Sequence, residues 1–311
     1  MRHRWEHLLA EGPILADGAM GTMLFAAGLT AGEAPERWNL DHPDRVRAIH
    51  RGYLDAGARI VLTNTFGANR FRLALHGLQD RVAELNLAAA RLLRDEIAAA
   101  GVDALAAGDI GPSGELLVPL GTLDPDAAAD AFAEQAAALV AGGVDLLWIE
   151  TMSDLGELEA AVRGARRAAP EIPLVATMSF DTHGRTMMGV TPAQAAETLA
   201  ALGVDALGAN CGRGPDEALA VVEAMRRAAP HLPIVAKPNV GLPELTGTQA
   251  VYRTEPAVMA EWALRFRDAG ATIIGACCGS TPAHLAAMAR ALAGVGGVAA
   301  GEGRSPSAGA G

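Results

Sequence analysis

The chain is poor in residues that usually announce a function. Lysine occurs once in 311 residues, at Lys237, and the formal net charge is −11. No Lys/Arg-rich block is present, which argues against nucleic acid and anionic membrane surfaces as partners. No apolar run reaches the length of a bilayer span. The opening residues 1–7 do not lead into the apolar core of a signal peptide, so a cytoplasmic location is expected. Cysteine occurs three times; this is too few for a disulfide framework and fits a reducing compartment. Aromatics make up 4% of the chain, which leaves little material for a cage around a quaternary ammonium. No two histidines have metal-ligand spacing, and His183 and His284 read as surface or cap residues. There is no nucleophile elbow. The glycines between Gly108 and Gly114 lack the spacing of a dinucleotide fingerprint.

What is present is a regular alternation. Half the residues are hydrophobic and 20% are charged, an ordinary globular balance. Short, continuously apolar runs predict buried parallel strands at Ile14–Ala16, Arg59–Thr63, Ala104–Ala107, Val144–Ile149, Ile172–Met178, Val204–Ala209, Leu232–Ala236 and Ala271–Ala276. Helical runs separate them, several opened by a hydroxyl or carboxylate cap and a proline, as at Thr191-Pro192 and Thr281-Pro282. Eight such units predict an α/β fold, a single (β/α)8 TIM barrel over residues 1–293. A doubly wound open sheet is compatible with the same periodicity. Residues 294–311 are Gly/Ala-rich without apolar periodicity and read as a disordered tail. Leu116 to Asp124 reads as a longer loop over the barrel mouth.

In such barrels the site lies at the C-terminal ends of the strands. Those ends carry Asp17, Asn64, Asp109, Glu150, Ser179, Asn210 with Cys211, Asn239, and Cys277 with Cys278. All three cysteines sit there. Neighbouring side chains on a strand point to opposite faces, so an adjacent pair can act together only where the strand ends and the chain turns. Joined by Cys211, the pair makes a soft donor set suited to zinc, and three protein ligands leave one position free. Three small packing residues are the alternative. Glu150 ends a strongly apolar strand, where a carboxylate is costly without a partner. It reads as a ligand anchor or as half of a structural ion pair. Asp17 caps a turn or anchors an ammonium. Asn64 and Asn239 satisfy turn backbone or orient substrate or metal.

The motifs Asp17-Gly18-Ala19-Met20-Gly21-Thr22, Thr63-Asn64-Thr65-Phe66, Ile110-Gly111-Pro112, Glu150-Thr151, Asn210-Cys211, Asn239-Val240-Gly241-Leu242-Pro243 and Gly275-Ala276-Cys277-Cys278-Gly279 are together specific. On them the chain resembles the zinc-dependent homocysteine S-methyltransferases, from about Ile14 to Leu292. That group includes betaine–homocysteine methyltransferase, S-methylmethionine-dependent enzymes and the homocysteine-binding module of cobalamin-dependent methionine synthase. The resemblance implies a (β/α)8 barrel and Cys211, Cys277 and Cys278 as ligands of Zn2+. It places Asp17 and Glu150 at the homocysteine amino group, and Asn239 near the metal when substrate is absent. Trp38 falls in the loop after the first strand, where the betaine enzymes place a tryptophan. Phe66 and Phe180 could add aromatic faces. The implied reaction is methyl transfer to homocysteine, giving methionine, with betaine or a related methylated onium donor expected first. Methyl delivery by a separate corrinoid protein comes second, and S-methylmethionine or S-adenosylmethionine third. A homo-oligomer is compatible with the resemblance.

Overall fold

The computed structural model describes residues 2–246 and 249–294. Eight parallel strands form one sheet: β1 (Ile14–Leu15), β2 (Ile60–Leu62), β3 (Leu105–Ile110), β4 (Leu146–Met152), β5 (Leu174–Met178), β6 (Ala206–Cys211), β7 (Ile234–Pro238) and β8 (Ile273–Ile274). From β2 to β8 each strand pairs with its sequence neighbour, and β1 pairs with β8. A parallel bridge between Ala16 and Ile60 joins the remaining two edges, reinforced by the Asp17 N–H donating to the Ile60 carbonyl at 2.9 Å. The sheet is therefore a closed barrel rather than an open doubly wound sheet. Every edge is satisfied and helices cover the outside.

Side-chain alternation sorts each strand into an inner and an outer set. Ile14, Ile60, Leu105, Ala107, Leu146, Trp148, Val175, Ala206, Val235 and Ile273 pack together inside the barrel. Leu147, Ile149, Leu174, Ala176 and Leu207 face the helices in the larger core. Carried two residues on, the inner set becomes polar: Asp109 follows Ala107, Glu150 follows Trp148, and Lys237 follows Val235. The barrel thus has apolar lower layers and a charged top layer. The helix Arg2–Ala10, which the sequence reading did not identify, closes the opposite end. Its Trp5 and Leu8 join the inner cluster. A hairpin of Glu244–Thr246 and Gln249–Val251 follows β7 and was also not anticipated.

The helices match their sequence signals closely. Asp124 caps Pro125–Ala141 through its carboxylate, and Thr191 with Gln194 forms a capping box on Pro192–Ala201. Strands β3, β4 and β6 run further than expected, so Asp109, Glu150 and Cys211 lie within strands and not in the turns after them. Among the described residues no helix is long and apolar enough to cross a membrane. Of the expected tail, Gly294 closes the helix Pro282–Gly294, and residues 295–311 lie outside the described residues.

Candidate metal centre and its cavity

A cavity of about 290 Å³ opens at the C-terminal end of the barrel, lined by Cys211, Cys277, Cys278, Asp17, Asp109, Glu150, Lys237 and Thr151 among others. The three cysteines are free. One ligand atom from each lies within 4.8 Å of the other two. Cys211 Sγ and Cys277 Sγ are 3.0 Å apart, far longer than a disulfide at about 2.0 Å and shorter than the sulfur edge of about 3.8 Å that a tetrahedral zinc site with 2.3 Å bonds would set. Donation from Cys211, then from Cys277, holds the Cys278 thiol down at about 4. Cys211 is pushed well above its ordinary value, first by its bond to Cys277 and then by its bond to Cys278. The trio thus shares protons around one thiolate. A divalent cation among the sulfurs would replace those protons, so the donor set fits a soft metal ion.

Backbone geometry brings the sulfurs together. Strand parity alone would point Cys211 outward, because Asn210 is the inward residue. Cys211 instead takes φ +57°, a left-handed conformation that turns it to the mouth. The end of β7 splints the two cysteine segments. The Asn239 N–H donates to the Cys211 carbonyl at 3.1 Å, the Cys277 N–H to the Pro238 carbonyl at 2.7 Å, and the Val240 N–H to the Cys278 carbonyl at 3.2 Å. The Asn239 side chain spans the same gap: its Nδ2 donates to the Gly212 carbonyl at 2.6 Å, and its Oδ1 accepts the Cys278 N–H at 3.0 Å. Asn239 therefore ties together the two loops that carry the sulfurs.

A second strained residue stands beside the trio. Thr151 has φ +60°, unusual for a β-branched residue. Asn210 holds it there. Its Oδ1 accepts the Thr151 N–H at 2.8 Å and the Thr177 hydroxyl at 2.6 Å, and its Nδ2 donates to Thr151 Oγ1 at 2.6 Å. The same Nδ2 approaches Cys211 Sγ at 3.6 Å. Asn210→Ala leaves the Thr151 N–H without its acceptor, and we expect it to cost about 1–3 kcal/mol. It should also weaken metal binding roughly 10–100-fold by releasing the sulfur's orientation. Competition with a chelator measures the second effect. Unchanged metal affinity would remove Asn210 from the support of the site.

The charged layer below the sulfurs contains one cation and three carboxyl groups. Lys237 Nζ donates to Asp17 Oδ1 at 2.7 Å and lies 5.5 Å from the Trp148 ring. Asp17 Oδ2 accepts the Leu62 N–H at 2.8 Å. Among the described residues, Asp109 Oδ1 and Glu150 Oε2 are buried with no hydrogen-bond partner. Burial pushes Asp109 well above the ordinary carboxylate range, helped by the charge of Glu150. Burial likewise pushes Glu150 up to about 8, against the pull of Lys237. A carboxyl raised this way holds its proton in the folded state after the unfolded chain, at about 4.5, has released it. Stability therefore falls as pH rises between those two values and levels off above them. In the metal-free protein, Glu150→Gln should gain thermal stability over wild type progressively from about pH 5 to pH 8. A gap that does not change with pH would show that Glu150 is not proton-bearing.

The other expected residues are placed as follows. Asn64 lines the cavity, and its Nδ2 donates to the Pro35 carbonyl at 2.8 Å while its own carbonyl accepts from Asn39. It anchors the loop after β1. Trp38 is 3% exposed and does not line the cavity. Its ring packs edge-on against His42 and under Arg45, so it offers no face to a ligand there. Phe180 lies behind the Cys211 loop in a separate small pocket. Phe66 is the sole Phe, Tyr or Trp among the cavity's lining residues. The loop from Leu116 to Asp124 does not line the cavity. In the sequence Lys237 stands out only for its rarity; its inward position follows from the parity of β7 with Val235.

Comparison with known proteins agrees with this geometry. The family model described as Homocysteine S-methyltransferase matches residues 14–292. The methionine synthase of Mycobacterium tuberculosis (strain ATCC 25618 / H37Rv) is 36% identical over 304 residues, covering 93% of this chain and 25% of that protein. The methionine synthase of Mycobacterium leprae (strain TN) is 35% identical over 301 residues, with 92% and 25% covered. The chain thus spans about a quarter of the length of these curated relatives. The metallated form of the homocysteine methyltransferase MmuM from Escherichia coli superposes with a TM-score of 0.77 at 26% identity, covering 92% of this chain and 98% of that one.

Proposed function

We propose that this chain, which belongs to the homocysteine S-methyltransferase family, transfers a methyl group to the thiol of homocysteine, giving methionine, with Cys211, Cys277 and Cys278 holding zinc. The observation that carries this reading is the convergence of all three cysteines at one end of the barrel, against a cavity with unpartnered carboxyl oxygens. Zinc bound by three thiolates supplies the Lewis acidity that keeps a fourth sulfur deprotonated at neutral pH, where a free thiol with a pKa near 8.5 is mostly protonated.

The chain's own residues perform the rest. Glu150 Oε2 lacks a partner among the described residues, and an incoming ammonium supplies one. The carboxyl then ionises, and its charge is balanced by substrate as well as by Lys237. Asp17, already bonded to Lys237 and Leu62, adds negative charge to the same corner. Asn210, Thr151 and Asn239 fix the cysteine loops, so that the acceptor sulfur is held in one place relative to an incoming methyl group. The buried walls exclude water from both partners.

For the donor, the single lining phenylalanine and the turned-away Trp38 do not make an aromatic cage. Betaine therefore loses the place the resemblance gave it. A small methylated onium recognised by charge is the donor class we propose. A second reading is methyl delivery by a partner protein, such as a corrinoid carrier. It is favoured by the match to only a quarter of the methionine synthases. The test is methionine formation by the zinc-loaded protein with homocysteine and S-methylmethionine or betaine, with Cys278→Ser as control. Turnover with the sulfonium supports the onium reading. Homocysteine binding without turnover from any small donor transfers the donor role to a partner protein.

A further inference from the structure

The cavity has a second charged pole that the sulfur end does not use. Glu36, Arg72 and His76 line its wall with Pro35, Phe66 and Gly67. Glu36 belongs to the short turn Pro35–Arg37 in the loop after β1 and is 5% exposed. Its Oε1 accepts the Gly67 N–H at 2.7 Å. Among the described residues, none of these three side chains forms an ion pair with any other group. Burial pushes the Glu36 carboxyl above its ordinary range, opposed first by its own N–H and the Gly67 N–H and least by the charges of His76 and Arg72. A buried carboxylate served by backbone N–H groups and no ion pair is under-compensated.

The backbone is shaped to admit these side chains. A Cβ at Gly67 would stand 2.7 Å from Glu36 Oε1 and 3.7 Å from Arg72 Cβ, so glycine lets the acid and the arginine share one wall. The Arg72 stem crosses Gly114, where a Cβ would meet its Cδ at 2.9 Å. Gly114 has φ +83°, a conformation that glycine alone adopts without strain. Asn69 caps the short helix Arg70–Ala74 by accepting from the Phe71 and Arg72 N–H groups, which fixes the start of the turn bearing Arg72. Among the described residues the Arg72 guanidinium and the His76 ring find no hydrogen-bond partner, so their donors are available to a ligand.

We infer that Glu36, Arg72 and His76 form the methyl-donor subsite and select an amino-acid-type onium, a donor carrying an ammonium and a carboxylate beside its methylated centre. Glu36 takes the ammonium it lacks, and the Arg72 fork takes the carboxylate with His76 beside it. Both poles line the one cavity that also holds the three sulfurs, so a donor held by its charged head presents its methylated end to the acceptor sulfur. The methyl carbon then leaves the donor with no electrons and bonds to the sulfur lone pair. The electron pair of the broken bond stays on the donor, which departs as a neutral sulfide or amine. The inference rests on the small-onium reading above.

Two sulfonium probes test it with the zinc-loaded full chain: S-methylmethionine and dimethylsulfoniopropionate, which keeps the sulfonium and the carboxylate but lacks the ammonium. Glu36→Gln keeps an acceptor for Gly67. It should raise the KM for S-methylmethionine at least about tenfold and leave that for dimethylsulfoniopropionate unchanged. Arg72→Met keeps the stem on Gly114 and should raise both KM values at least about tenfold. Homocysteine affinity, read by calorimetry, stays at the wild-type value in both variants. Intact homocysteine binding with donor KM values indifferent to Glu36 and Arg72 overturns the subsite, as does wild-type protein that binds homocysteine and uses neither sulfonium. Failure of wild-type protein to bind homocysteine overturns the acceptor reading instead.

Discussion

Cys278→Ser is expected to lower methyl transfer to homocysteine by a factor on the order of 10³. Two losses multiply. Without metal assistance only a few per cent of a thiol with a pKa near 8.5 is ionised at neutral pH, a loss of about thirtyfold. Without a fixed anchor the acceptor sulfur also loses its placement, worth at least about thirtyfold more. Serine is a poor stand-in, because its hydroxyl is hard and stays protonated where a thiol near two others does not. Bonds from Cys211 and then Cys277 push the Cys278 thiol down, so its removal also leaves those two without their shared acceptor. Zinc content after dialysis and single-turnover methionine formation should fall together. A Cys278→Ser protein that retains stoichiometric zinc and full turnover would contradict the assignment.

Lys237→Met should destabilise the folded chain by about 3–5 kcal/mol near pH 7.5, because it leaves the buried Asp17 carboxylate without its cation. Lys237 is 3% exposed and its ammonium bonds to Asp17. Burial works against its charge, but Asp17 and Glu150 outweigh it and hold the ammonium above its ordinary value. The stabilising effect of a raised lysine is present throughout the neutral range and is lost only at strongly alkaline pH. Acidification should shrink the penalty of the mutation, since burial already pushes the Asp17 carboxyl above its ordinary value and only Lys237 and the Leu62 N–H oppose this. The double variant with Asp17→Asn should recover part of the loss, as both ends of the pair become neutral. Denaturant unfolding of the three proteins measures these terms. Equal destabilisation by the single and double variants would show that packing against Trp148, and not charge, is what Lys237 provides.

Much of this architecture was readable from local sequence signals. Asp109, Glu150, Asn210, Cys211 and Cys277 all fall where an apolar run gives way to a polar residue, and the barrel places every strand end at one mouth. Caps at Asp124 and Thr191 are local chemistry and were equally legible. Relations between distant residues were not. The Lys237–Asp17 bond spans 220 residues, and only the closed barrel brings those strands together. Trp38 suggested an aromatic wall, yet it packs among His42 and Arg45; a residue's place in a loop does not say which way it faces. Glu36 sits in a short turn and Arg72 in a five-residue helix, neither within a motif, and their nearness follows from Gly67, whose missing side chain leaves no sequence signal of its own. The helix Arg2–Ala10 carries only two buried residues, Trp5 and Leu8, too few for a visible periodicity.

The central claim is that three protein sulfurs hold a zinc ion whose fourth position is taken by the homocysteine thiol. X-ray absorption at the zinc edge tests it most directly, on protein loaded with one equivalent of metal, before and after homocysteine is added. The account predicts about three sulfurs near 2.3 Å with one lighter ligand, becoming four sulfurs on addition of homocysteine. A coordination shell made wholly of protein ligands and unchanged by homocysteine would contradict it, and would make the cysteine trio a structural site.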